Sequence, residues 1–374
     1  MLLTEAAGKR LLRAASVPLA DGGALVTTAD ELDGHGPWTF PVAAKAQVRS
    51  GGRGKAGGVL RCDDHAQLRD AFAAIMASRF AGEKPTGVLV EPWLVIDREL
   101  YLCVVVDPSA HGYSVLYSPT GGIEIESGDP PVRYAFGHPV DYRGHELRQA
   151  LAGVESDAFV RERVVAVARQ LLQVAVEAEA TTVEVNPLAI VDGRPLAVDA
   201  KVVLDDQAAF RHAFTADQLT QAHTEESEAA AACRRARLVF VALGGTVGLV
   251  SGGAGMTMRA MDAIADGGGA PAGFLDISNN PTPEGLEIAL RSLQRLGGVD
   301  RLLISIFGGG LDVGRIARSL VQLVDDGVTT LPIAYRLAGS GADAATELLA
   351  RHGFVNHTTL EAAVAELLPQ GGVR

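Results

Sequence analysis

Past residue 237 the chain settles into a regular rhythm that its earlier part lacks, and this break limits the possible folds more than any other feature. Apolar runs of strand length at 238–243, 247–251, 273–277, 302–307, 331–336 and 354–355 alternate with helical periodicity over 255–266, 283–296, 312–326, 342–352 and 359–368. Alternation of this kind predicts a doubly wound, largely parallel α/β sheet. Before the break the pattern is mixed. Helices are expected near the start of 1–20, over 66–81 and over 156–178. Strands are expected on both sides of a glycine-rich loop within 40–61, and at 88–92, 100–106, 114–117, 122–125, 182–185 and 196–198. Few crossover helices separate those strands, which favours an α+β arrangement. The segment between, 214–237, is polar and helix-prone and reads as a surface linker. The expected organisation is a first domain over 1–213, a linker over 214–237 and a second domain over 238–374.

Composition narrows the function. A formal net charge of −12 and the lack of a basic stripe exclude a nucleic-acid partner. A local cationic site can still bind a nucleotide. Among 33 basic residues only Lys9, Lys45, Lys55, Lys84 and Lys201 are lysines, which draws attention to those positions. Cys62, Cys103 and Cys233 are widely spaced, with no CxxC, so neither a disulfide framework nor a zinc site is expected and a reducing cytoplasm fits. The opening MLLTEAAGKRLLRAA has early charges and does not read as a secretory signal. The uncharged run 238–258 is long enough to invite a membrane reading, but its repeated glycines favour two short strands joined by turns, so no membrane partner is expected.

Three constellations carry chemistry. In the first, a strand ending in Lys45 feeds a loop with glycines at 51, 52, 54, 57 and 58, interleaved with Arg53 and Lys55. Glycine lets successive backbone N–H groups turn toward one anion, and the cations add charge, so the loop reads as a phosphate cradle. It is not a Walker A loop, because GxxxxGK[ST] is absent. A plain glycine-rich hairpin would not need those flanking cations. The second is Thr182-Val-Glu-Val-Asn186-Pro187 followed by Asp199-Ala-Lys201. Adjacent strands could aim an amide oxygen and a carboxylate at one point, which suits Mg²⁺, although an ordinary turn with exposed acids reads the same way. The third is Glu91, which closes an apolar strand ahead of Glu99. Glu91 could accept from an adenine amino group or ribose hydroxyls, or could be a solvated strand end.

QVRSGGRGKAGGV, VEPWLVIDRELYL, PTGGIEIE at 119–126, VEVNPL and VDAK occur in that order, followed by GGAGMTMRAMD and SIFGGGLD. Together they resemble the β subunits of succinate–CoA ligase over nearly the whole chain. The resemblance implies an ATP-grasp nucleotide-binding domain followed by a flavodoxin-like CoA-ligase domain. It implies an ATP-dependent, ADP-forming acid–thiol ligase. It puts ATP on Lys45, Gly52, Arg53, Gly54, Glu91, Leu94 and Glu99, with Lys45 and Arg53 as the catalytic cations, and Mg²⁺ on Asn186 and Asp199.

The second half departs from the family. The family's Asn-Gly-Ala-Gly, whose Asn contacts the carboxylate substrate, is Gly252-Gly253-Ala254-Gly255 here. Its Asp-Val-Gly-Gly-Gly is Asp276-Ile277-Ser278-Asn279-Asn280. Its GGIVR is Gly308-Gly309-Gly310-Leu311-Asp312, with an aspartate in place of the arginine. The resemblance carries substrate contact onto Gly252, Gly309, Gly310 and Leu311. Asp312 would either cap its helix or repel an incoming phosphate. In the family, ATP phosphorylates a histidine of an α subunit, the phosphate moves to a small carboxylic acid, and CoA displaces it. No histidine here matches that loop, and the CoA-binding domain is missing, so the resemblance implies an α-type partner carrying both. A stand-alone carboxylate–amine ligase working through an acyl phosphate, and a non-catalytic assembly subunit, are the alternatives.

Overall fold

A computed structural model describes residues 1–122, 129–224, 227–278 and 281–368. The chain divides into two compact units, Met1–Gln221 and Ala222–Arg374.

The first unit runs α1 (Glu5–Ala14), β1 (Ala24–Val26), α2 (Ala29–Gly34), β2 (Val42–Ala46), β3 (Val59–Cys62), α3 (His65–Ala77), β4 (Val88–Pro92), β5 (Arg98–Asp107), β6 (Gly112–Ser118), β7 (Val132–Gly137), α4 (Gly144–Leu151), α5 (Ala158–Glu177), β8 (Ala180–Val191), β9 (Arg194–Ala197) and β10 (Lys201–Leu204). Helix α6 (Ala213–Thr224) crosses the boundary between the units. Two antiparallel sheets result. One has the order β1-β4-β2-β3; the other runs β10-β8-β5-β6-β7, with β9 paired to β8. Alternation along β2 and β4 sends Val42, Ala44, Ala46, Val88 and Val90 into a core with Leu68, Phe72 and Ile75 of α3. The opposite face of the same strands carries Ala43, Lys45 and Glu91. Helix α5 starts at Asp157, whose carboxylate accepts from the N–H of Phe159 at 2.8 Å. It buries Val164, Ala168 and Leu171 against Leu102, Val104, Val183 and Val185 of the larger sheet.

The second unit continues with α7 (Glu228–Arg235), β11 (Val239–Ala242), β12 (Val247–Ser251), α8 (Ala254–Asp266), β13 (Pro271–Asp276), α9 (Pro283–Gln294), β14 (Arg301–Gly308), α10 (Val313–Asp325), β15 (Ile333–Gly339), α11 (Ala342–Arg351) and α12 (Leu360–Leu367). Its sheet has the order β11-β13-β12-β14-β15. Strands β13, β12, β14 and β15 are parallel and β11 is an antiparallel edge. The chain reverses its direction across the sheet at β12, the hallmark of a doubly wound, flavodoxin-like order. Helices α8 and α12 cover one face, over Val247, Leu249, Leu303 and Ala334. Helices α9, α10 and α11 cover the other, over Val250, Leu275, Ile304 and Tyr335.

Several details differ from the pattern read off the sequence. The short strand expected at 182–185 is the middle of the 12-residue β8, because its apolar positions continue past Pro187. Strands β1 and β7 and helices α2 and α4 were not expected from the sequence. The strand expected at 354–355 is reduced to a single bridge between Tyr335 and Asn356. Within the polar stretch 214–237, helix α7 buries Cys233 in the core of the second unit. The strand expected at 122–125 lies, from residue 123 on, outside the described residues, as do Asn279 and Asn280. Among the described residues no helix is long and apolar enough to cross a membrane. The run 238–258 forms β11, β12 and the start of α8.

Candidate functional site

Helix α1 begins the site. Thr4 caps it, and the Leu3 N–H donates to Val202 O at 2.9 Å, which pins the helix beside β10. Glu5 and Lys9 are one turn apart and therefore share a face. Glu5 Oε1 lies 2.7 Å from Lys9 Nζ and 3.0 Å from Lys45 Nζ, and Glu5 Oε2 accepts from Arg53 Nη2. Glu91, on β4 across from Ala43, takes Lys9 at 2.6 Å and Lys45 at 2.7 Å on Oε2. Both lysines also donate to Val198 O, each at 2.7 Å. Arg53 donates to Ala46 O at 2.8 Å and to Asp199 Oδ1 at 3.1 Å. Three cations and three carboxylates thus form one network, drawn from α1, β2, the glycine loop, β4 and the turn between β9 and β10.

Burial makes this network stiff. Glu5, Lys9, Lys45, Arg53 and Glu91 are each less than a tenth exposed. Desolvation pushes the Glu5 carboxyl up, but Lys45, Lys9 and Arg53 outweigh it and hold Glu5 well below the usual carboxylate range. Burial likewise works against the charge on Lys45, and Glu5 and Glu91 reverse the balance, raising its affinity for the proton. Burial also works against the charge on Arg53, and Glu5 followed by Asp199 outweighs it, so Arg53 is raised as well. Asp199 is the exception. Its side chain keeps 42% of its surface accessible, on the cleft wall. Desolvation by the surrounding groups, followed by the charge of Glu5, nevertheless pushes its carboxyl up against the pull of Arg53.

Lys9, Lys45, Arg53, Glu91 and Asp199 line a cleft of about 220 Å³ in the first unit, together with Trp93, Leu94, Ile96, Glu99 and Pro187, with Glu5 buried behind it. Of the residues singled out in the sequence, Lys45, Arg53, Glu91, Leu94, Glu99 and Asp199 therefore share one cavity wall. Gly52 and Gly54 lie on the exposed side of the loop. Gly52 has a φ of +78°, which a side chain would strain, and the loop closes with Gly58 N–H on Arg53 O at 2.8 Å. The loop thereby turns the Arg53 side chain inward. Asn186 is not on the cleft wall, although its neighbour Pro187 is. Its amide clasps the backbone of Gly122, accepting from the N–H at 2.5 Å and donating to the carbonyl at 3.2 Å. Sequence reasoning missed Glu5 and the Val198 carbonyl. It noticed Lys9 only as one of few lysines. The (i, i+4) spacing of Glu5 and Lys9 was the one hint in the sequence, and by itself it does not set them apart from an ordinary surface pair.

In the second unit, Gly252, Gly309, Gly310 and Leu311 sit where β12 and β14 end and α8 and α10 begin. Gly253 has a φ of +93° at the start of α8, and its N–H donates to Asp276 at 3.0 Å. Asp312 is the N-cap of α10: its Oδ1 accepts from Gly314 at 2.9 Å and Arg315 at 3.3 Å. A Cβ on Gly341 would fall 2.2 Å from that same oxygen, so a glycine is required there for the cap to form.

Comparison with known proteins agrees with this division of the chain. Residues 2–190 match the ATP-grasp domain family and residues 250–366 match the CoA-ligase family. The chain is 32% identical over 372 residues to the ADP-forming succinate–CoA ligase subunit beta of Chloroflexus aurantiacus, covering 96% of each. It is 30% identical over 378 residues to that of Desulfurococcus amylolyticus, covering 98% of each. The subunit from Thioalkalivibrio sulfidiphilus is 32% identical over 395 residues, covering 100% of this chain and 98% of that protein. Among solved structures, an ATP citrate lyase from Methanothrix soehngenii, in complex with citrate and coenzyme A, superimposes with a TM-score of 0.70 at 19% identity over 99% of both chains, a likeness of fold.

Proposed function

The chain belongs to the ATP-grasp family of succinate–CoA ligase β subunits, and from that premise we propose that it is the nucleotide-binding, β-type subunit of an ADP-forming acid–CoA ligase. One observation carries the reading: Lys45 from β2, Arg53 from the glycine loop and Asp199 from the β9–β10 turn meet in a single cleft. Lys45 and Arg53 bind the triphosphate and offset charge as the γ-phosphoryl group leaves. The backbone of Gly52 and Gly54 approaches the phosphates, and Glu91, Leu94 and Glu99 line the nucleoside end. Asp199 fits a hard divalent cation such as Mg²⁺. Its Oδ1 takes the bonds from Arg53 and the Ala200 N–H, and among the described residues nothing donates to Oδ2. The Asn186 amide oxygen, already on Gly122, has a second lone pair to offer. When bound, Mg²⁺ would neutralise phosphate charge.

In this reading the bond from the γ-phosphorus to ADP breaks and the phosphoryl group passes to a histidine. Among the described residues no histidine lines the cleft, which supports assigning that nucleophile to an α-type partner that also holds CoA. The phosphoryl group then activates a small carboxylic acid, and the CoA thiol displaces phosphate. A cytoplasmic setting is proposed on the three buried free thiols. The test is ADP formation from Mg-ATP, CoA and an acid, with and without an α-type subunit. Turnover that requires the partner supports the proposal. ADP release by the lone chain with amines would favour an amide-forming ligase, and failure to bind Mg-ATP in calorimetry would favour an assembly role.

A further inference from the structure

Strand β8 carries one residue more than its neighbour β5 at the point where Asn186 lies. Leu100 pairs with Leu188 and Leu102 with Val185, so Asn186 and Pro187 together face Tyr101 alone. This two-against-one count is a β-bulge, which breaks the ladder and re-aims a side chain. Pro187 has no N–H to give the ladder in any case. The re-aimed Asn186 amide meets Gly122 twice, with Oδ1 accepting from its N–H at 2.5 Å and Nδ2 donating to its carbonyl at 3.2 Å. Two bonds fix the amide in both place and rotation, and among the described residues they leave one lone pair of Oδ1 unspent.

Gly122 can be held this way because it and Gly121 lie hard against β5. The Gly121 N–H donates to Glu99 O at 2.8 Å, and a Cβ on Gly121 would fall 2.4 Å from Leu100 O. Gly122 has a φ of +70°, which a side chain would strain, and its Cβ would fall 2.1 Å from Glu99 Oε2. The Glu99 carboxylate thus rests over a bare α-carbon. Glu99 is on the cleft wall, as is Pro187 directly after Asn186. Gly122 therefore touches one residue proposed for the nucleoside and one proposed for the metal. A ligand holds a metal only as well as its lone pair is aimed, and a partner that aims it is worth roughly 10–100-fold in metal affinity.

We propose that Gly122 is a positioning residue for the Mg-nucleotide: its N–H and carbonyl aim the Asn186 amide oxygen at the divalent cation, and its missing side chain seats the Glu99 carboxylate. The inference rests on the reading of the cleft as a Mg-ATP site and adds the residue that sets two of its groups at once. Only glycine serves both contacts, since any side chain at this position would strain the backbone that Asn186 clasps and displace Glu99.

The experiment follows ATP binding by the full chain in calorimetry at increasing Mg²⁺, for the native protein, Gly122→Ala and Asn186→Asp, with the ligand-free melting temperature of each. In Asn186→Asp an oxygen stays for the Gly122 N–H, but the donor to the Gly122 carbonyl is gone. A ligand that needs no aiming gains from the added negative charge, and Mg²⁺ would then half-saturate at a lower concentration. A ligand aimed by Gly122 loses, and the expected result is half-saturation at about tenfold more Mg²⁺. Gly122→Ala, which also displaces Glu99, should need at least about tenfold more Mg²⁺ and bind ATP more weakly even at saturating metal. A glycine that only ties strands together would lower the melting temperature and leave the Mg²⁺ requirement unchanged. That outcome overturns the proposal, as does a lower Mg²⁺ requirement in Asn186→Asp, the variant that carries the test if Gly122→Ala does not fold. If the native chain binds Mg-ATP and the variants keep its Mg²⁺ requirement, the positioning role falls while the proposed nucleotide function stands. A native chain that does not bind Mg-ATP overturns both.

Discussion

The Arg53 guanidinium and the Asp199 carboxylate meet at 3.1 Å although 146 residues separate them. The contact joins the glycine loop to the β9–β10 turn and so ties the side of the cleft proposed to bind phosphate to the side that would hold a metal. Asp199→Ala should lower nucleotide turnover by at least about 100-fold, the scale of removing one preorganised charge-stabilising group. The fold should persist, because Arg53 keeps Glu5 and the Ala46 carbonyl as partners. Circular dichroism and melting temperature check the second half of the prediction. Unchanged turnover would remove Asp199 from the site.

Glu5 is buried among Lys9, Lys45 and Arg53. Glu5→Gln leaves a surplus of buried positive charge, and ligand-free stability should fall by roughly 3–5 kcal/mol, the usual cost of breaking a buried ion pair from one side. The triphosphate would then supply some of the missing negative charge. Mg-ATP should therefore raise the melting temperature of Glu5→Gln by more than it raises that of the native chain. Equal shifts in differential scanning fluorimetry would show that the nucleotide does not reach these cations.

How much of this was legible depended on how local each signal was. Lys45, Arg53 and the five glycines lie within a single stretch and could be read directly. Glu5 and Lys9 could not, because an amphipathic helix of this kind looks like a packing element until β2 and β4 are laid beside it. Asn186 does lie on a strand, but Asp199, expected on the next one, sits in the turn between β9 and β10, and only the structure reveals that the Asn186 amide is engaged with Gly122. In the second unit, strict alternation announced the doubly wound sheet. Which residues face each other across its strands, such as Ser251 beside Ser305 and Ser305 beside Arg336, was invisible, since register between strands is set by tertiary packing and not by spacing along the chain.

At Asp312 the two sequence readings give opposite signs. As an N-cap, its replacement in Asp312→Ala should cost about 0.5–2 kcal/mol, measured by urea denaturation. If the carboxylate also repels an arriving phosphate, the same variant should bind inorganic phosphate more tightly than the native chain. Lower stability with unchanged phosphate affinity would leave capping as its whole role.

Glu179 sets a pH window. Hydrogen bonds from Arg211, then from His212, hold its carboxyl down to about 2 from an ordinary 4.5. Because the folded value is the lower one, its contribution is complete above about 4.5 and is lost as the pH falls toward about 2. The melting temperature of the native chain should drop across that interval, and Glu179→Gln should flatten the drop. Parallel slopes for the two proteins would show that Glu179 is not linked to folding.

The even match of Lys9, Lys45 and Arg53 against Glu5, Glu91 and Asp199 has a consequence for what can enter the cleft. Among the described residues that line the cavity every base is already answered by an acid, and Glu99 adds a further negative group, so a free tetra-anionic nucleotide meets no surplus of positive charge. A ligand must arrive with its own counter-ion, so uncomplexed ATP should be turned away where the divalent salt is admitted.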